Sequence, residues 1–373
     1  MDTTERRRKS LGRLVAHENS ASDLLAFLIE MDSRPLAGLL GLEDGLYSSQ
    51  REVKATGAGQ GRLDLVVRRQ PDDHPVAVLE MKGASSVHGD QLDRYDAWAR
   101  SFDPAPKRFY CTLDGDGDVP PDPWQPLSLV ELFAAWQASK DSHAAWLARE
   151  IADVLRSWDA EADGIIGSAS GWYVPDLVSR RTAGAVDGDL RRAHHDGSKA
   201  LASRTNAGNP MFVAWRRHPR GSKSARVGVD VRSNGRGTPS QPWLFRPCVD
   251  VYGSGQSQRD ARLEAHDLAV ALRPAMMLPV IRDVLATQGH TKLADALQVD
   301  QRDGLRGPAD PAVLDEWRTQ IASGNQPSRR HPVFYNDRGL RLATQLRLDV
   351  TQLTRYDLAD LTVEVLDHLV KHA

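Results

Sequence analysis

A chain of 373 residues with 40% hydrophobic residues can build a sizeable core, as two domains or one large one. Its 26% charged residues nearly cancel to a net charge of −2, so any nucleic-acid contact must come from local basic surface. No run approaches the ~18 consecutive apolar residues of a membrane span, and MDTTERRRKS lacks the apolar stretch of a secretory signal. Two cysteines, Cys111 and Cys248, lie in apolar strand-like runs without metal-binding spacing. A helical membrane span and a disulfide framework are not expected, and a reduced, cytoplasmic compartment is.

The chain opens with a basic cluster, Arg6, Arg7, Arg8 and Lys9. Ser20 or Ser22 can then cap a helix that carries Ala21, Leu24, Leu25 and Leu28 on one face. Glu18 stands just before it, where an acid also suits the helix dipole. Pro35 opens a short helix, PLAGLLGL. Leu46 to Thr56 reads as a strand bearing Glu52, and Gly57, Gly59 and Gly61 turn it into the next.

The central stretch is RLDLVVRRQPDDHPVAVLEMK, Arg62 to Lys82. Leu63, Leu65, Val66 and Val67 form one apolar run; Val76, Ala77, Val78, Leu79 and Met81 form another. A Pro-Asp-Asp turn separates them, so two neighbouring strands are predicted. Asp64 interrupts the first run; Glu80 and Lys82 interrupt the second. Side chains alternate along a strand, so Glu80 and Lys82 share a face, and hairpin pairing brings Asp64 beside Glu80. Charged groups are rarely buried unless paired or bound to metal. Two readings stand side by side: solvent-facing residues of an edge strand, or two carboxylates and an amine gathered for metal-assisted phosphodiester hydrolysis. The second suits Mg²⁺, which takes one or two protein carboxylates and keeps waters and phosphate for the rest.

Further along, Asp90 to Ser101 reads as a helix on which Gln91 and Tyr95, four apart, share a face. Arg108 to Leu113 is the fourth strand. Asp114, Asp116 and Asp118 imitate a calcium loop, but the twelfth position is Gln125 and prolines intervene, so an acidic turn is expected. Ser128 to Gln137 and Ser142 to Trp158 read as helices.

Six stretches in this order carry a resemblance: HENSASDLLAFLI at 17–29, RLD at 62–64, LEMKG at 79–83, QLDRY at 91–95, FYCTLDG at 109–115 and WQPLSLVELF at 124–133. Together they resemble a bacterial branch of the PD-(D/E)XK nuclease superfamily, with Leu63-Asp64 in place of the usual Pro-Asp. The resemblance implies an α/β, restriction-endonuclease-like core over residues 1–160: a mixed central β-sheet flanked by helices. It implies a Mg²⁺-dependent nuclease, with Mn²⁺ as a substitute. Asp64 and Glu80 would bind the metal, the Met81 carbonyl would be a third ligand, and Lys82 would act on the attacking water. Gln91 would reach the lysine or the scissile phosphate, and Glu18 the metal site. Tyr95 reads first as core; Tyr95, Arg62 and Glu52 are further candidates for substrate contact. DNA is the expected partner, together with a second copy of the chain or a defence-system protein. A binding module that uses the same scaffold is the alternative.

From about residue 160 the composition changes, with Gly, Ser and Asp dense at 163–171. An α+β accessory region over 161–373 is expected. Met211–Arg217, Arg226–Val231 and Trp243–Val251 read as an antiparallel meander, and helices follow near Gln256–Arg273, Met276–Thr287, Pro311–Ala322 and Leu353–His372. YGSGQSQRD at 252–260 reads as a strand–helix turn, without the Gly-Lys-Ser/Thr ending of a P-loop. His194 and His195 read as surface residues, and Arg216, Arg217, His218 and Arg220 as solvated surface or phosphate contacts. No catalytic constellation is legible in this half.

Overall fold

The computed structural model describes residues 3–55, 61–82, 91–113, 122–169, 173–193, 195, 197–233, 243–252, 257–300, 310–324 and 331–373, with side chains from residue 9 onward. The chain divides into two compact units, residues 1–162 with 170–177, and residues 163–169 with 178–373.

The first unit is built on a mixed five-stranded sheet. Its strands are β1 (Tyr47–Lys54), β2 (Arg62–Arg69), β3 (His74–Lys82), β4 (Lys107–Thr112) and β5 (Gln125–Ser128), in that spatial order. The β1–β2 and β2–β3 pairs are antiparallel, and the β3–β4 and β4–β5 pairs parallel. The strands of the hairpin β2–β3 are the two apolar runs of the sequence, in the register Leu65↔Leu79, Val66↔Val78 and Val67↔Ala77. Three helices precede the sheet: α1 (Thr3–Val15), α2 (Glu18–Met31) and α3 (Arg34–Leu40). Helix α2 lies against β1, β2 and β3 and buries Ala21, Leu25, Leu28 and Ile29. The fully buried Trp136 donates from its indole N–H to the carbonyls of Leu28 (3.0 Å) and Asp32 (2.7 Å) at the C-terminal end of α2. Helix α4 (Gln91–Ala99) covers the other face. There Leu92, Tyr95, Trp98 and Ala99 join Leu63, Val66, Val78 and Tyr110 in one apolar cluster. Helices α5 (Leu129–Ala134) and α6 (Ser142–Asp163) follow. The α5 N-terminus is capped by the Ser128 hydroxyl, which accepts from the Val130 N–H at 3.2 Å.

Helix α7 (Val174–Arg192) leads into the second unit. Its eight-stranded sheet contains β6 (Lys199–Arg204), β7 (Pro210–Arg217), β8 (Ala225–Arg232), β9 (Trp243–Val251), β10 (Leu297–Val299), β11 (Tyr335–Asp337), β12 (Arg341–Ala343) and β13 (Leu346–Leu348). All its pairs are antiparallel. The predicted meander is the centre of this sheet, extended on one side by β6 and on the other by short late strands. Helices α8 (Gln258–Leu272), α9 (Leu278–Thr287), α10 (Thr291–Ala296), α11 (Pro311–Ala322) and α12 (Arg355–His372) complete the unit. Helix α12 packs on β7, β8 and β9, and α8 on β9 and β12. That face carries Ala225, Val227, Val229, Val231, Phe245, Val249 and Val251, all buried. Gly167 shows one close approach: a Cβ there would stand 2.5 Å from the Thr351 Cα, so only glycine fits.

Several sequence features find a structural explanation. Part of the stretch 252–260 lies outside the described residues; its Ser257 caps α8 by accepting from the Asp260 N–H at 3.1 Å. Arg216 pairs with Asp367 on α12, and Arg220 donates to the main chain of His372, so these two cations are engaged within the unit. Arg6, Arg7 and Arg8 lie in α1, with side chains outside the described set, and Asp114, Asp116, Asp118 and His194 lie outside it altogether. Among the described residues no helix is long and apolar enough to cross a membrane. Both cysteines are buried free thiols.

Candidate active site

One edge of the five-stranded sheet gathers most of the charged residues that interrupt the apolar pattern. The β2–β3 ladder runs to Leu65↔Leu79, and one register step further stand Asp64 and Glu80. There the strands part. The Met81 N–H donates to the Asp64 carboxylate at 2.8 Å, so the acid is anchored to the backbone of the next strand. On the other side, β1 pairs through Arg51↔Leu65 and Val53↔Leu63, and the position between them is occupied by Glu52 with φ 52°. A non-glycine residue in the left-handed region costs on the order of 1–3 kcal/mol and tends to persist at functional sites. The irregularity falls opposite Asp64.

Glu80 is fully buried. One carboxylate oxygen, Oε1, accepts from the Lys82 ammonium at 2.8 Å and from the Gln91 amide at 2.7 Å. The other, Oε2, has no hydrogen-bond partner among the described residues. Lys82 is also nearly buried, and its ammonium lies 3.7 Å from Glu18 at the start of α2. Gln91 donates to the Tyr95 hydroxyl at 3.1 Å, and that hydroxyl donates to the Arg62 carbonyl. Gly61 lets the Tyr95 ring lie close, since a Cβ there would stand 2.9 Å from the ring. The structure therefore joins Asp64, Glu80, Met81, Lys82, Gln91, Tyr95 and Glu18 in one network. Arg62 enters it by its backbone; its side chain instead meets Glu52 at 3.3 Å on the exposed side.

The electrostatics follow from burial and crowding. Desolvation pushes Glu80 up to about 8, and the Asp64 charge adds to it, while Lys82 works in the opposite direction. Asp64 is pushed up to about 6, chiefly by desolvation, against the Met81 N–H and Lys82. Burial alone would lower Lys82, but the carboxylates of Glu80, Glu18 and Asp64 outweigh it and hold the amine above its ordinary value. The lysine is thus a fixed cation beside two reluctant anions.

The donor set suits a hard divalent cation bound through few protein groups. Two carboxylates face one another, and the Glu80 Oε2 is a buried acceptor left without a donor. Among the described residues no group of three His, Cys, Asp or Glu side chains is gathered to hold a metal ion. Glu18 meets the cluster through Lys82. The set fits Mg²⁺, which needs only one or two carboxylates, better than Zn²⁺, which takes three or four protein ligands rich in His and Cys.

Two supports of the site escaped sequence reading. Asp96 on α4 is buried and paired with Arg108 of β4 at 2.8 Å, which ties α4, and with it Gln91, to the sheet. The available signal was an acid inside the apolar stripe Leu92, Tyr95, Trp98, Ala99. Arg51 of β1 donates to the Ser22 hydroxyl at 3.1 Å and pairs with Asp23, tying α2 to the sheet edge. No family model, curated protein or solved structure matches the chain.

Proposed function

We propose that the first unit is a nuclease of the restriction-endonuclease-like kind, hydrolysing nucleic-acid phosphodiesters, DNA first, with Mg²⁺. The observation that carries this reading is the buried Glu80, opposite Asp64 and 2.8 Å from the Lys82 ammonium, with one oxygen left without a partner. Asp64, Glu80 and the Met81 carbonyl would hold the metal. When bound, Mg²⁺ lowers the pKa of water and draws charge off the phosphoryl oxygens.

The chain's own residues do the rest. Lys82, held cationic, offsets charge that develops on the phosphoryl oxygens and orients the attacking water. Because its amine is held above its ordinary value, it serves as a charge and a donor, and proton abstraction falls to another group. Gln91 fixes Glu80 by its Oε1, leaving Oε2 for the metal. Tyr95 holds Gln91 and the Arg62 carbonyl in register, and Glu18 positions Lys82.

The test is a cleavage assay on wild type and Glu80→Gln with linear, circular and single-stranded DNA and with RNA, in Mg²⁺, Mn²⁺ and EDTA. Metal-dependent cutting by wild type alone supports the reading and names the substrate. If nothing is cut, and calorimetry finds no Mg²⁺ or Mn²⁺ site that Asp64→Ala removes, the nuclease reading fails and the binding-scaffold alternative stands.

A further inference from the structure

The eight-stranded sheet has a second face, opposite the one that α8 and α12 cover, and it is charged. Along β8 and β9 it carries Arg226, Asp230, Arg232, Arg246 and Asp250 at alternate positions. Asp230 faces Arg246 across the β8–β9 ladder, and Arg341 faces Asp250 across β9–β12. Both acids are fully engaged. Asp230 accepts from Arg232 Nε at 2.7 Å and from Arg341 Nη1 at 2.9 Å. Asp250 accepts from Arg341 Nε and Nη2, each at 2.6 Å.

Arg246 is the cation left over. It is 3% exposed. Its Nη2 donates to the Gln345 carbonyl oxygen at 2.5 Å, and its plane lies over the Tyr335 ring, 4.0 Å from the centroid. Its Nε and Nη1 have no hydrogen-bond partner among the described residues. Asp300 accepts from the amide nitrogen of Gln345. Burial first, then the charge of neighbouring Arg232, work against the charge on Arg246; Asp230 and Tyr335 favour it but do not outweigh them, and a guanidinium does not shed its proton in a protein. A buried cation with free donors calls for an anion.

We propose that this face is a phosphate-binding site, with Arg246 as its central donor and Arg232 and Arg341 at its rim. The rim side chains are 16% and 14% exposed, so the cluster opens to solvent there. A tetrahedral oxyanion can accept from one of the unpartnered Arg246 nitrogens through one oxygen and from a rim guanidinium through another. The shared chemistry is a phosphate group, whether of free phosphate, a nucleotide or a nucleic-acid backbone. The site is independent of the nuclease reading.

The test uses the full chain in EDTA, which removes any metal-dependent binding elsewhere. Inorganic phosphate, a nucleoside 5′-monophosphate and a short single-stranded DNA are titrated by calorimetry, and thermal midpoints are compared with chloride at equal ionic strength. Expected are a midpoint raised by phosphate in wild type and in Arg318→Gln, a control whose cation pairs with Asp267, and at least tenfold weaker binding in Arg246→Gln. The tightest of the three probes identifies the source. No phosphate effect beyond that of chloride in wild type, or equal affinity in Arg246→Gln, overturns the proposal. If Arg246→Gln fails to fold, Arg232→Gln decides: at least threefold weaker binding supports the site, and unchanged binding overturns it.

Discussion

Two sheets of this chain each bury a charged cluster, and the clusters differ in the sign left over. In the five-stranded sheet, Asp64, Glu80 and Glu18 surround one lysine, and the unmatched atom is a carboxylate oxygen. In the eight-stranded sheet, Arg232, Arg246 and Arg341 surround Asp230 and Asp250, and the unmatched atoms are guanidinium nitrogens. The groups also differ in how they relieve the cost of burial. Carboxylates can take up a proton, and Glu80 and Asp64 are pushed in that direction. Arginine cannot release one, so its relief must come from a neighbour or a ligand. The first cluster is therefore expected to be cation-seeking, the second anion-seeking.

The largest effect expected is in the second cluster. Asp230→Ala leaves Arg232 and Arg341 without a shared acceptor, and breaking a buried ion pair from one side costs roughly 3–5 kcal/mol. Urea unfolding should show this as a lower midpoint; a loss under about 1 kcal/mol would mean that the network is solvated and the contrast with the first sheet is weak.

Next comes Lys82→Ala, which removes the one cation from the first cluster. Cleavage should fall by roughly 10²–10³-fold, the range for losing a charge-stabilising donor, while circular dichroism stays native. Mg²⁺-dependent cutting at the wild-type rate in that variant would sink the role of the lysine.

The pH dependence sharpens the contrast further. A carboxyl group whose folded pKa lies above its unfolded value binds extra protons in the folded state between the two values. Stability without metal therefore falls as pH rises from 4.5 through about 8, the interval over which Glu80 is shifted. The Glu80 contribution to the slope approaches ~1.4 kcal/mol per pH unit, and Asp64 adds to it below about pH 6. Glu80→Gln should flatten it, because the variant has no carboxyl at this position to titrate. Denaturation of both proteins across that range, in EDTA, checks the sign; a wild type that gains stability relative to Glu80→Gln as pH rises from 5 to 8 would contradict it.

The smallest effect is at Gly61. A methyl group there meets the buried Tyr95 ring, so Gly61→Ala should cost about 1–2 kcal/mol by overpacking and lower cleavage more than binding, because Tyr95 holds Gln91. Equal loss of both would indicate a purely structural defect.

Much of the first cluster was legible in the order of residues. A strand has a period of two, so Glu80 and Lys82 had to share a face, and a Pro-Asp-Asp turn between two apolar runs set Asp64 within reach of Glu80. Gln91 and Tyr95, four apart, had to project together from one helix. The short strand β5 was not legible, since Gln125–Ser128 has four residues, one of them proline, and gains its pairing only from β4. Nor was β6, a short edge strand of mixed polar and apolar residues whose pairing is set by β7.

The sequence by itself determined the alternation that commits the charged residues of β2 and β3 to one side of a sheet, because that property is local to each strand. Tertiary structure alone decided that Glu80 is fully buried with an oxygen unmatched, that Glu18 turns to Lys82, and that Asp96 and Arg108 hold α4 in place. It also decided the whole second cluster. Asp230, Arg246, Asp250 and Arg341 lie up to 111 residues apart, and only the ladder register of strands distant in the chain brings their side chains together. Long-range register depends on the fold as a whole, so no local pattern announces it.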